Sequence, residues 1–375
     1  MRKKVLHVIT GLGDGGAEGV LTRLCLNSRK AEHVVVSLTD EGKYGSVLRE
    51  SGIAVYSLEM NPRRPSLPSF FRLVKLISKQ KPDVVQTWLY HSDLFGGLAA
   101  RMAGIRNIFW NIRLSNLHGG SEKKATVLTA RVCAKLSSWL PKGIICCAEK
   151  AAKTHLELGY DKSKLVVIPN GYDLDKYSPN QAFRNLIRNE FQLGTDEIVL
   201  GMVGRFHLQK DHHNLLTALG YVKESRIPFR CLLVGSDLNE ANLALISQIN
   251  EMGLKNEVIL AGQRRDIPMV MSALDIHILS SRYEGFPNVI AEAMACGTPC
   301  VSTDVGDASV IIGKTGVVCR VGNPEELANG ILQLAIEKSN NDEAWHSRMA
   351  ECRERIMSNY TLDKSVSRYE DVWEL

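Results

Sequence analysis

Ser280-Ser-Arg-Tyr-Glu284-Gly-Phe-Pro-Asn-Val-Ile-Ala-Glu292-Ala-Met-Ala-Cys-Gly-Thr-Pro-Cys300 is the stretch from which the rest of the chain reads. The apolar residues before it, 274–279, predict a buried parallel strand. The strand gives way to a loop carrying Arg282, Glu284 and Gly285. A helix of small residues then begins near Pro287, a residue suited to a first helical turn. Seven residues separate Glu284 from Glu292, so one acid lies on the loop and the other about one turn into the helix. Free amides at a helix start bind phosphate, and carboxylates accept hydrogen bonds from sugar hydroxyls. The unit therefore fits a sugar-phosphate ligand. The plainer alternative is an ordinary strand-to-helix connection with two solvated acids.

The same strand–helix alternation runs outward in both directions. Strands are predicted at 5–9, 34–38, 53–58, 84–87, 108–111, 144–147 and 166–168. Helices are predicted at 21–30, 69–79, 94–103 and 126–140. The series restarts with strands at 198–203, 231–234, 258–260, 276–279 and 301–303. Such alternation builds parallel, doubly wound sheets, here two α/β halves. Pro169-Asn170-Gly171 and the polar residues 173–181 read as the hinge. Residues 341–375 read as helical and charged. At 375 residues, two domains are the default.

Composition excludes several classes. Hydrophobic content of 45% with 23% charged residues describes a globular chain. Aromatics are 6%, too sparse to favour stacking on nucleic-acid bases. No uncharged apolar run reaches the ~18 residues that span a bilayer. Met-Arg-Lys-Lys followed by 5–9 mimics a signal peptide, but the apolar part is too short and runs into Gly11–Gly16. Nine cysteines without a C-x-x-C pair point to a reducing compartment, and away from disulfides or a zinc site. Charge is uneven: residues 1–170 hold 26 Lys/Arg against 13 Asp/Glu, and residues 171–375 hold 20 against 28. A half that basic is drawn to anionic surfaces unless its lysines are merely solvated.

Two loops carry phosphate-type chemistry. Gly11-Leu-Gly-Asp-Gly-Gly16 follows the first strand, fits G-x-G-x-x-G and is trailed by Asp40 at the end of strand two. Glycine there lets a phosphate approach the backbone. In the second half, Arg205 and Lys210 flank a helix opening, where two cations can neutralise a pyrophosphate. Asp211, His212 and His213 look like metal ligands, but adjacent helical residues point apart, so capping is the reading taken. Asp173-Leu-Asp175 is a formal D-x-D pattern read as a turn. His91 and, more weakly, Arg113 lie just past strand ends, where α/β ligands bind. Residues 60–82 (Arg63, Arg64, Phe70, Phe71, Arg72, Lys75, Lys79, Lys81) and 123–142 (Lys123, Lys124, Arg131, Lys135, Trp139, Lys142) mix basic with apolar positions. Either alone reads first as an amphipathic core helix; together they suit a membrane interface.

Together these motifs resemble glycosyltransferase family 4, retaining enzymes of the GT-B fold that include those of bacterial cell-surface polysaccharide and glycolipid synthesis. The match runs from Gly13–Glu18 through 168–173, Val203-Gly-Arg205, Lys210-Asp211, Gly262, Arg265 and Asp266 to 281–299 and Asp304-Val-Gly306. The spaced glutamates with their Glu-Gly-Phe-Pro core are highly specific; the glycine loop is not. The resemblance implies two Rossmann-like domains facing a cleft. The first is acceptor-side, residues 1–172 plus a C-terminal crossover helix at about 359–375; the second binds nucleotide sugar, residues 173–358. It implies that Glu284 bonds the donor sugar with the amides of Gly285, Phe286 and Pro287, and that Asn288 and Val289 share that wall. Glu292 holds the ribose, Arg205 and Lys210 clamp the diphosphate, and Arg265 lies by the base. Gly15 and Gly16 face donor phosphates or the acceptor. His91 stands in for a family histidine nearer the strand end, where this chain has Trp88.

The implied reaction transfers a sugar from a UDP- or GDP-linked donor to a glycan or lipid-linked acceptor, with no metal, no cofactor and no nucleic acid. The implied setting is cytoplasmic, with an anionic inner-leaflet contact through the basic half. Three alternatives stay open. One is another GT-B enzyme, such as a nucleotide-sugar epimerase or a phosphorylase. Another is a silent GT-B subunit. The third is a nicotinamide-dependent oxidoreductase, which lacks an acid/base set and leaves Glu284 and Glu292 unexplained.

Overall fold

Two α/β units build the computed structural model, which describes residues 2–61, 66–115, 124–194 and 197–375. One unit comprises Met1–Gly171 with Leu362–Leu375, the other Tyr172–Thr361. The first begins β1 (Lys3–Ile9), α1 (Gly16–Asn27), β2 (Ala31–Ser37), α2 (Gly42–Glu50), β3 (Ala54–Ser57), α3 (Leu67–Gln80) and β4 (Val84–Trp88). It continues α4 (Tyr90–Met102), β5 (Ile108–Ile112), α5 (Lys124–Leu136), β6 (Gly143–Cys146), α6 (Glu149–Glu157) and β7 (Leu165–Val167). The second runs α7 (Gln181–Glu190), β8 (Ile198–Val203), α8 (His212–Glu224), β9 (Phe229–Val234), α9 (Leu243–Glu251), β10 (Val258–Gly262) and α10 (Ile267–Ala273). It closes with β11 (Ile276–Leu279), α11 (Asn288–Ala295), β12 (Cys300–Thr303), α12 (Ala308–Ile312), β13 (Val317–Cys319), α13 (Pro324–Asn340) and α14 (Asp342–Asn359). Helix α15 (Leu362–Val372) returns to the first unit.

Both sheets are parallel, in the orders β3-β2-β1-β4-β5-β6-β7 and β10-β9-β8-β11-β12-β13. Each order reverses once, beside β1 and β4 in the first unit and beside β8 and β11 in the second. Ligands of open parallel sheets bind at such reversal points, beyond the carboxyl ends of the strands. The strands are apolar because helices cover both faces: β8 and β11 are buried throughout. One core gathers Leu200, Met202, Leu219, Ile276 and Ile331. The other gathers Val5, Ile9, Leu21, Val35 and Trp88 with Val366, Tyr369 and Trp373 of the chain's last residues. Polar contacts seat α15 and the residue after it: Asn111 Nδ2 donates to Tyr369 Oη at 2.7 Å, Ser28 Oγ to Glu370 Oε1 at 2.9 Å, Ser365 Oγ to the Pro169 carbonyl at 3.0 Å, and Trp373 Nε1 to Gln86 Oε1 at 2.9 Å.

Local chemistry sets the ends of the elements. Ser66 caps α3 by accepting from the Ser69 amide, Pro68 fills its first turn, and Lys81 ends it in the left-handed region. Asn323 caps α13 in the same way, with Glu325 and Glu326 in the positive first turn.

Four expectations need correction. Strand β2 ends at Ser37, so Asp40 lies three residues beyond it, its carbonyl accepting from the Ser37 hydroxyl. The periodic reading missed α2 and α6, which bury only Gly45 and Leu48, and Ala151 and His155. It also missed β13, three residues long and too short to show a period. Phe70 is turned inward against Phe95, ring centroids 5.3 Å apart, and only Phe71 of that pair is exposed. Arg63, Arg64 and Lys123 lie outside the described residues.

Candidate functional site

At the reversal point of the second unit, the loops after β8 and β11 are laced together. Lys210 Nζ stands 2.7 Å from Glu284 Oε1. The same oxygen accepts from Ser281 Oγ at 2.7 Å, and Oε2 from Gln209 Nε2 at 3.3 Å. Gln209 also donates to the Tyr283 carbonyl at 2.9 Å. Both charged side chains are largely buried, at 16% and 10% exposure. The Lys210 stem runs over Gly204, where an added Cβ would stand 3.1 Å from Cε.

A second layer fixes these loops. Arg282 forks onto Asp211 at 2.8 and 3.1 Å, and its amide donates to the Gln209 carbonyl at 2.8 Å. Ser280 Oγ donates to the Lys210 carbonyl, and Thr303 Oγ1 to that of Ser281. Gly306 adopts a φ of 52°, and a Cβ there would fall 2.7 Å from the Gly285 carbonyl oxygen. The glycine of Asp304-Val-Gly306 is thus required by close packing on the Glu284 loop. Asp211 corrects the capping expectation. It sits before α8 with a φ of 50°, makes no side-chain cap, and spends its carboxylate on Arg282.

The other candidates of this unit take distinct positions. Arg205 follows β8, is exposed, and makes no ion pair among the described residues. Arg265 is also exposed; its neighbour Arg264 pairs with Glu190 and with Asp266 at 2.5 Å each. Gly285 is half-buried, and Phe286 and Pro287 are buried, Phe286 edge-on to Tyr360. Pro287 has no N–H, so it offers this loop no donor. Asn288 Oδ1 accepts from Tyr172 Oη at 2.7 Å. Val289 and Glu292 are half-buried, on the first turn of α11 and just beyond it. Gln209 and Ser281 went unnoticed in the sequence, since neither type marks a site until Glu284 is placed.

In the first unit, the loops after β1 and β4 meet at a cavity of about 370 Å³ lined by Thr10, Gly11, Glu18, Tyr90 and His91. Gly15 and Gly16 open α1, and the Glu18 carboxylate folds back over Gly15, into the space a Cβ there would take. This helix N-terminus therefore already faces a carboxylate. Burial raises the Glu18 pKa, opposed by a backbone hydrogen bond and the nearby Arg113 charge. His91 is exposed and one residue past Tyr90. Leu89, at φ 72° and ψ 151°, makes the turn. That geometry costs a non-glycine residue about 1–3 kcal/mol and is held by bonds to the Asn111 carbonyl and the Asp93 amide. Tyr90 anchors it further. His155 Nδ1 bonds the Ala151 carbonyl, so its Nε2 is bare and accepts from Tyr90 Oη at 2.6 Å.

Two patterns that look metal-binding have other occupations. Asp173 Oδ1 accepts from the amides of Asp175 and Lys176, closing a turn. His7, Cys25 and His33 bring ligand atoms within 4.8 Å of one another. However, Trp88 Nε1 donates to His7 Nδ1 at 3.2 Å, and an indole N–H only donates. His7 Nε2 therefore carries the proton and donates to His33 Nδ1 at 2.9 Å. Burial also pushes the Cys25 thiol far up, away from the thiolate a metal needs. All nine cysteines are buried and unbridged.

Known proteins resemble the chain on both units. Residues 14–176 match the family described as Glycosyltransferase Family 4, and residues 197–337 that described as Glycosyl transferases group 1. The UDP-Gal:alpha-D-GlcNAc-diphosphoundecaprenol alpha-1,3-galactosyltransferase of Escherichia coli is 26% identical, over 82% of this chain and 79% of its own. The capsular polysaccharide biosynthesis glycosyltransferase CapM of Staphylococcus aureus is 22% identical, over 81% and 80%. The crystal structure of Anabaena Alr3699/HepE in complex with UDP-glucose shares the fold, with a TM-score of 0.83 at 23% identity over 99% of this chain and 100% of that one.

Proposed function

The chain belongs to the glycosyltransferases, a family 4 domain followed by a group 1 domain on the GT-B fold, and we propose that it moves a sugar from a nucleoside-diphosphate donor to a glycan or lipid-linked acceptor with retention of configuration. The observation that carries this reading is the Lys210–Glu284 pair at the reversal point of the second sheet. A diphosphate needs a buried cation; a sugar hydroxyl needs a buried acceptor. The two groups neutralise each other here, and each has a natural partner on a nucleotide sugar. Lys210 takes the diphosphate with Arg205, and Glu284 takes the sugar, supported by Gly285 and Phe286. Glu292 holds the ribose and Arg265 flanks the base.

The chemistry follows. The bond from the anomeric carbon to the diphosphate oxygen breaks, leaving cationic character on the sugar and negative charge on the phosphate. Arg205 and Lys210 stabilise that charge, so the reading calls for no metal ion. The acceptor oxygen bonds to the same face, and its proton passes to the departing phosphate. In the first unit, His91 and the Gly15–Gly16 loop serve the acceptor.

The setting is the synthesis of a surface polysaccharide or glycolipid, as the names of the two relatives suggest, on the inner face of the cytoplasmic membrane. Among the described residues no helix is long and apolar enough to cross a membrane. Helices α3 and α5 both pack on α4. They expose Leu67, Phe71, Leu128, Val132 and, just past α5, Trp139, among Arg72, Lys75, Lys79, Arg131 and Lys135. Apolar and basic side chains on one face suit an anionic bilayer.

Incubation with UDP- and GDP-sugars and an alkyl glycosyl diphosphate acceptor tests the reading. A disaccharide whose new linkage keeps the donor's anomeric configuration by proton NMR supports it. Free nucleoside diphosphate formed equally with and without acceptor, or an inverted linkage, contradicts it.

A further inference from the structure

Arg113 is the first residue past β5, and β5 lies beside β4 at the carboxyl edge of the first sheet. Its guanidinium lies 5.9 Å from the Trp88 ring centre, and Nη2 donates to Asn170 Oδ1, itself 2% exposed. Nη1 is closed off from solvent and has no acceptor among the described residues. Buried donors are nearly always satisfied, and an orphan on a charged group is costly. Stacking and the Asn170 bond account for one edge of the fork and leave the other unexplained.

The surroundings say what is missing. Glu18 is close enough for the Arg113 charge to act on it, yet the two form no ion pair. Glu18 instead lines the 370 Å³ cavity beside Thr10 and His91. A cation with a vacant donor thus stands near a carboxylate that lines a cavity of about 370 Å³. A sugar alone would satisfy Glu18 and leave Arg113 vacant; a free phosphate would do the reverse. One ligand class answers both, a sugar bearing phosphate on its anomeric oxygen.

Resting on the reading above of a sugar-transferring enzyme, we infer that Arg113 is a specificity-determining residue that donates to the anomeric phosphate of a glycosyl diphosphate acceptor while Glu18 accepts from a hydroxyl of its sugar. A planar fork suits a phosphate oxygen pair better than an ammonium does. Trp88 and Asn170 hold that fork in place before the acceptor arrives.

The test is a calorimetric titration of wild type, Arg113→Gln and Arg113→Lys with two probes, an alkyl glycosyl diphosphate and the same alkyl glycoside without phosphate. Saturating nucleoside diphosphate is present, so that the second unit's cations are occupied. Wild type is expected to bind the diphosphate at least tenfold more tightly than the glycoside. Arg113→Gln should lose that preference while binding the glycoside as wild type does, and Arg113→Lys should keep part of it. A merely structural arginine would weaken both probes together. The inference is overturned if Arg113→Gln keeps the preference, or if wild type shows none. Should nucleoside diphosphate itself fail to bind, the proposed donor reading falls; the same titrations run without it still decide the role of Arg113.

Discussion

Lys210 Nζ and Glu284 Oε1, 74 residues apart in the chain, stand 2.7 Å from each other with little solvent access. Two charges so placed are stabilised as a pair, and the pair sits where a diphosphate and a sugar hydroxyl would each take one member. Removing one member should therefore do more than remove a contact. Lys210→Ala and Arg205→Ala are each expected to lower kcat by roughly 100- to 1,000-fold, the loss typical of a group that stabilises charge in the transition state. Lys210→Ala should also lower stability, since Glu284 is left largely buried without its cation; Arg205→Ala, at an exposed position, should not. Steady-state transfer rates and urea midpoints on the same preparations check both.

Asp275 should prove a structural counterpart of that pair. Its carboxylate, 2% exposed, accepts from Arg184 at 2.6 Å, from Arg188 at 2.8 Å and from the Val199 amide at 2.7 Å, with Lys338 3.5 Å away. Asp275→Ala strands three cations, and breaking a buried pair costs about 3–5 kcal/mol. Denaturant unfolding should show a loss of that order in the second unit. A change below about 1 kcal/mol would mean that the cations find water instead.

The contrast between these two acids shows what the sequence makes legible. Glu284 stands in a glycine- and proline-marked loop at a fixed distance from Glu292, and that pattern announces a site. Asp275 lies inside residues 274–279, which read as an apolar strand, and nothing local says that three cations from α7 and α13 converge on it. His277, wholly buried on the same strand, is equally silent. Strand and helix alternation shows through because parallel strands are buried on both faces. Backbone strain does not: Leu89 and Asp211 take positive φ values that neither residue type requires. The Arg113 donor and the returning helix α15 depend on partners 57 and more than 250 residues away, beyond the reach of any local pattern.

Acid should loosen the first unit. Burial lowers the His33 pKa from 6.5 to about 4, against an opposing pull from Glu370, and burial likewise holds His155 at about 4. His7 lies well below its ordinary value for the same reason, reinforced by His33. The unfolded chain protonates His33 and His155 near pH 6.5 and the folded chain only near pH 4. Between those values the unfolded state binds more protons, so stability falls as pH falls from 6.5 to 4. Each such histidine contributes at most about 1.4 kcal/mol per pH unit. Urea midpoints at pH 7.5, 5.5 and 4.5 should decline, and His33→Gln should flatten the slope; an unchanged slope would show that His33 titrates normally.

The exposed face of α3 and α5 should bind anionic bilayers. Flotation with phosphatidylglycerol-containing vesicles at low salt is expected to carry the protein up, and 0.5 M salt to weaken it, since the basic side chains act through screened charge. Phe71→Ala combined with Trp139→Ala should reduce binding with no change in transfer to a water-soluble acceptor. Failure of the wild type to float at low salt would remove the membrane from the account.

Sugar transfer as proposed turns on how the Lys210–Glu284 pair meets a nucleotide. Calorimetric titration with UDP and GDP, and with their sugars, measures this directly in wild type, Lys210→Ala and Glu284→Gln. Wild type should bind one of the two nucleoside diphosphates, and Lys210→Ala should bind it at least tenfold more weakly. Glu284→Gln should bind the bare diphosphate as well as wild type or better, because Lys210 is released from its partner, and should lose affinity only for the attached sugar. Equal diphosphate binding by wild type and Lys210→Ala, or weaker diphosphate binding by Glu284→Gln, would contradict it.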